Sequence, residues 1–280
     1  MKKTRITALL LTLCLCLPGC GTSAENCEKQ QALKQEGMEL QASGDYTGAI
    51  EKYDEALKLS NMEVGEAEID LAYYKASAQY RSGDIAGAID TYSSILAIKE
   101  SAEGYLGRGI LYVDAKEADK AGEDLTKALK ENDSSMMKGL VYYVAGETDK
   151  AKEFFEKAKA EGEDDAIFFL ANIYEQAGDH NYAMILLEEY IERGSAGAEG
   201  YLSVGRHFFD NAAYEDALSV IQAGIALGES GVLKDLLLEE IACYEKLGDF
   251  ADAKAKAEEY LNSFPDDTAM TKEYEFLRSR

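Results

Sequence analysis

An all-α fold of stacked helix pairs is what this sequence predicts, and three observations predict it. Only 2 of the 280 residues are proline, which suits long helices joined by tight turns, because proline breaks helices and central strands alike. The stretch Gly44-Asp45-Tyr46-Thr47-Gly48-Ala49-Ile50 returns nearly intact as Gly83-Asp84-Ile85-Ala86-Gly87-Ala88-Ile89. Such self-similarity marks an array of small supersecondary units. Hydrophobic residues make up 46 % of the chain, enough to build a core and to exclude wholesale disorder.

The first element is a leader. Lys2, Lys3 and Arg5 precede an apolar run from Ile6 to Leu17. A membrane span needs about 20 residues, so this shorter run reads as a secretory signal. It ends in Leu17-Pro18-Gly19-Cys20, which resembles the lipobox of bacterial lipoproteins, with Pro18 where a small residue is usual. The resemblance implies removal of residues 1–19, lipid attachment at Cys20 and anchoring on the extracytoplasmic face of a membrane. Residues 20–29, small and polar, then form a tether. Attaching more than one acyl chain gives stable anchoring without a span.

From residue 30 to residue 265 the chain repeats. The Gly-Asp turn followed by Ala recurs at Gly178-Asp179-His180-Asn181-Tyr182-Ala183 and at Gly248-Asp249-Phe250-Ala251-Asp252-Ala253, with looser copies around Ala121, Ala151 and Ala217. Alignment on that Ala places unit starts near 30, 69, 102, 132, 164, 198 and 234, with Asn61 to Glu68 as a lengthened loop. The pattern resembles the tetratricopeptide repeat, a 34-residue helix-turn-helix unit. The resemblance implies a right-handed superhelix of about seven repeats, an α-solenoid. Position 20 of the repeat is Ala in all seven copies. Position 8 is small in six, among them Gly37, Gly109, Gly139 and Gly205. Position 24 is large in six, among them Tyr53, Leu125, Phe155 and Ile221. Repeat seven exchanges these roles, with Ile241 at position 8 and Ala257 at position 24. Close helix crossings explain the small residues, and stacking explains the large ones, because a lone helix pair cannot bury its apolar face. Residues 266–280 form the last element, a helix capped by Asp266 and Asp267 that covers the exposed end with Met270, Tyr274 and Leu277.

Few residues suggest chemistry. The net charge of −24, which becomes −27 without the leader's three basic residues, argues against nucleic-acid backbones and anionic headgroups. His180 and His207 read as packing residues between helices. No Cys-x-x-Cys pair accompanies Cys27 and Cys243, and the acidic run Glu161-Gly162-Glu163-Asp164-Asp165 lacks the alternation of a calcium loop and reads as solvated. No nucleophile elbow, phosphate loop or zinc helix occurs. The expectation is a non-enzymatic protein with neither cofactor nor metal.

The tetratricopeptide resemblance implies a concave surface lined by positions 2, 5, 9 and 12 of each first helix, on one side of a 3.6-period helix. These positions include Tyr73 and Tyr80, with Arg81 adjoining, then Leu106, Ile110 and Val113, then Met136, Leu140 and Tyr143. Phe168, Asn172, Arg206 and Phe209 continue the line. An apolar stripe with an acidic rim suggests a protein or peptide partner carrying apolar and basic residues. A small-molecule or glycan ligand in the same groove is the alternative. Lys34 is present, but Met38 and Glu103 replace the cationic and amide groups of the family's carboxylate clamp, which argues against an acidic C-terminal peptide.

Overall fold

A computed structural model describes residues 24–60, 64–194, 196–228 and 230–280. The leader and Cys20 lie outside the described residues. Among those residues the chain forms fifteen α-helices and no strand. Pairs run in chain order: α1 (Ala24–Ala42) with α2 (Tyr46–Lys58), α3 (Glu66–Arg81) with α4 (Ile85–Ile98), α5 (Ala102–Asp114) with α6 (Ala118–Glu131), and α7 (Ser135–Val144) with α8 (Thr148–Glu161). Then follow α9 (Asp165–Gln176) with α10 (His180–Glu192), α11 (Ala198–Asp210) with α12 (Tyr214–Ala226), and α13 (Leu233–Leu247) with α14 (Phe250–Ser263). Helix α15 (Thr268–Arg278) closes the stack.

Two boundaries differ from the sequence reading. Residues 24–29, expected at the end of a tether, are the first turns of α1. Polar anchors hold them: Gln30 Nε2 donates to Ala56 O at 3.3 Å and to Glu68 Oε1 at 3.2 Å. Residues 66–68, expected in a loop, begin α3, and Glu68 Oε2 accepts from Gly65 N at 2.8 Å. An acidic residue in the first turn answers the unpaired N–H groups there. Residues 61–63 of that loop lie outside the described residues.

The Gly-Asp signature works as a turn and a cap. Gly44, Gly83, Gly146, Gly178 and Gly248 all have positive φ, a conformation that side chains disfavour. Lys116 (φ 62°) and Ala212 (φ 59°) take the same place in two pairs. The following Asp caps the second helix: Asp45, Asp84, Asp179 and Asp249 each accept from the backbone N–H three residues on. In the looser copies Glu117, Glu147 and Ala213 make no such bond.

Small and large residues meet within each pair. A Cβ on Gly37 would stand 2.5 Å from the Tyr53 ring, and one on Gly205 would stand 2.4 Å from Ile221 Cδ1. In the seventh pair Ile241 and Ala257 share one buried cluster with the capping residues Met270 and Leu277, so the exchanged sizes still fill one space. Asp267 Oδ1 caps α15, accepting from Met270 N at 3.1 Å. Arg108 ties α5 to α6 through a fork on Asp124, at 2.7 and 2.9 Å, with Asp124 only 2 % exposed.

The stack curves until it meets itself. Helix α1 packs against the 3₁₀ turn Ser230–Val232 that leads into α13. Across the interior, Arg81 of α3 lies 3.5 Å from Glu199 of α11. Both side chains are largely exposed, so this pair contributes little energy by itself, but it shows that the second and sixth pairs face one another at close range.

Candidate partner-binding groove

The first helices of successive pairs stand side by side along the concave face, so a residue on one reaches a residue about one repeat later. Lys34 Nζ donates to Asp70 at 2.5 Å, from α1 to α3. Tyr80 donates to Asp114 Oδ2 at 2.9 Å, from α3 to α5, and this bond raises the Tyr80 phenol above its ordinary pKa. Gln176 of α9 donates to the Tyr143 hydroxyl of α7 at 3.0 Å. His207 Nδ1 of α11 lies 3.4 Å from Glu175 of α9. Arg206 Nε donates to Glu239 of α13 at 2.6 Å. The concave face is thus bolted by polar contacts at five of its six joints.

The sixth joint, between α5 and α7, has none among the described residues. Instead Leu106, Ile110, Met136 and Leu140 line a cavity of about 380 Å³, together with Met137, Gly107, Asn132 and Ser134. Glu103 and Glu163 stand exposed at its edge. A Cβ on Gly107 would lie 2.6 Å from the Tyr92 ring, so only glycine lets α4 and α5 approach beside the cavity.

The structure brings four of the sequence-predicted residues together in this cavity and distributes the rest. Tyr80 and Val113 are exposed, at 45 % and 42 %. Tyr73 is half-buried: its hydroxyl lies 3.1 Å from Ser101 Oγ and its ring meets Tyr92 edge-on. Tyr143 meets Phe155 and Phe169 edge-on, leaving its hydroxyl to Gln176. Phe168 packs on Phe169 and Tyr190, and Phe209 on Tyr214. The Phe168 and Phe209 rings are both half-buried. Arg81 and Arg206 are engaged with acids of the chain itself, and Asn172 is half-buried on α9. His180 is a further correction: its imidazole is mostly exposed and bonds Glu175 at 2.6 Å rather than filling a helix crossing. Glu163, Asn132 and Ser134 were missed because they sit in the turns between pairs, outside the helical register. Cys243 is fully buried, which pushes its thiol up to about 12, and neither described cysteine forms a disulfide. Among the described residues no helix is long and apolar enough to cross a membrane.

Three family models described as tetratricopeptide repeat match residues 34–105, 133–160 and 236–267. The chain carries tetratricopeptide repeats. No curated protein sequence matches it. Among solved structures, the repeat array is similar to yeast Tom70, at 16 % identity and TM-score 0.61, covering 91 % of this chain and 56 % of that one. It is also similar to PilW, described as a widely conserved type IV pilus biogenesis factor, at 17 % identity and TM-score 0.50, covering 75 % and 99 %. Both likenesses speak to the fold, an α-solenoid of helix-turn-helix units. Tetratricopeptide repeats characteristically form non-catalytic interaction scaffolds.

Proposed function

We propose that this protein is a lipid-anchored interaction scaffold of the bacterial cell envelope, exported by its leader, held through Cys20 and gripping a protein partner in the concave groove. The leader supports the address: a basic start, a short apolar run and a lipobox-like end at Cys20. The groove supports the activity. An idle solvated helix face carries polar residues, whereas this one leaves Tyr80 and Val113 open to solvent beside the Leu106–Leu140 cavity. That exposed apolar line is the observation that carries the reading.

Two experiments test it. Cys20→Ser releases the protein into the soluble fraction of bacteria expressing it, whereas unchanged membrane retention overturns the anchor. Crosslinking in intact cells captures a partner, and Tyr80→Ala with Val113→Ser, both at exposed positions, lowers the yield while leaving the helical signal intact. Equal yield moves the contact away from the groove.

A further inference from the structure

Resting on the groove reading above, we propose that the joint between α5 and α7 is where the partner is gripped. One aliphatic side chain of the partner enters the cavity, while Glu103 and Glu163 hold a Lys or Arg beside it. The partner is therefore a polypeptide segment in which Leu, Ile or Met adjoins a basic residue.

The first argument is what the joint lacks. The polar bolts elsewhere on the concave face join its neighbouring helices directly. Here Leu106, Ile110, Met136 and Leu140 face a space that no described residue fills. Methionine is unbranched and polarisable, so Met136 and Met137 can adapt to side chains of differing shape. The second argument is charge. Asp70, Glu175 and Glu239 on the same face each have a cation or imidazole within reach. Glu103 and Glu163 have no ion pair among the described residues. The nearby basic groups are spent: Arg108 on Asp124 and Ser93, Lys99 on Glu66, and Lys138 toward Asp133. On a chain of net charge −24, two exposed carboxylates outside any ion pair at the mouth of an apolar cavity favour a cation and repel an acid.

Fluorescence anisotropy of the purified full chain tests this with three labelled octapeptides of Gly-Ser flanks and different cores. The core Lys-Leu-Leu-Arg is expected to bind, with affinity that falls as salt is raised. Cores Glu-Leu-Leu-Glu and Lys-Ala-Ala-Arg are expected to bind at least about tenfold more weakly. The exposed pair Glu103→Lys and Glu163→Lys should reverse the preference between the basic and acidic cores without changing the helical signal. Ile110→Ser should weaken the Leu-bearing peptides alone. Equal binding of the basic and acidic cores overturns the proposal, as does an affinity that the charge reversal leaves unchanged. Failure of every peptide also overturns it. If the Tyr80→Ala, Val113→Ser variant then still loses its crosslinked partner, the groove reading survives and only this cavity's role is lost. Equal loss from neither set of variants removes both.

Discussion

Phe155 stands where a side chain on Gly139 would have to go: a Cβ there would lie 2.5 Å from its ring. Gly139 sits inside α7 and Phe155 inside α8, and Phe155 is fully buried and stacked on Phe169. Tyr143 meets the same ring edge-on, so Phe155 is held by two aromatic neighbours.

Two effects therefore oppose each other in Gly139→Ala. Alanine is the better helix former by roughly 0.8–1.0 kcal/mol, but forcing a methyl into a packed crossing costs about 1–3 kcal/mol. With Phe155 held from both sides, the steric cost wins. We expect a net loss of about 1 kcal/mol, read as a lower urea midpoint with unchanged slope. A midpoint equal to or above that of the parent protein would show that the ring yields.

Ala212 presents the reverse case. It holds φ at 59° in the turn where five other pairs use glycine, and left-handed backbone costs a side-chain-bearing residue roughly 1–2 kcal/mol. Glycine removes that strain but gains about 0.4–1 kcal/mol of unfolded-state freedom. Ala212→Gly should stabilise the protein by about 0.5 kcal/mol, seen as a small rise in melting temperature. A fall in melting temperature would show that strain is absent.

Glu245 gives a pH signature. Burial pushes its carboxyl above the ordinary range, and the charge of Glu273 pushes it the same way; its Oε1 is buried without a hydrogen bond. The folded state then binds this proton more tightly than the unfolded chain does. Its contribution to stability is present at low pH and is lost as pH rises from about 4.5 upward through the raised folded value. Glu245→Gln, which cannot ionise, should raise the melting temperature at pH 7 and change it little at pH 4. A gain of equal size at both values would assign the effect to packing.

The fold was legible because size, rather than identity, recurs. Ala at position 20, and the small and large pair at positions 8 and 24, record helix crossings that stay fixed whatever the loops do. The start of α1 was hidden because residues 24–29 carry no apolar period; long-range bonds from Gln30 to the second and third helices hold that end. In the groove, register placed Leu106, Ile110, Met136 and Leu140 on one face. It could not show which side chains the protein would use itself. That Tyr80 bonds Asp114, and that Tyr143 lies against Phe169, depends on the distance between neighbouring pairs, which no single repeat contains.

The meeting of α1 with the turn before α13 alters how such an array can come apart. An open stack frays from its ends, each unit leaning only on its neighbours. When the first unit also touches the turn that opens the last, loosening α1 is felt there as well as at its neighbours. The order of the pairs around the loop then matters more than where the polypeptide begins. Disturbing the outermost N-terminal helix should be felt at the opposite end of the sequence, at Leu236 and Val232, as well as at its own partner α2, where its packing is more extensive.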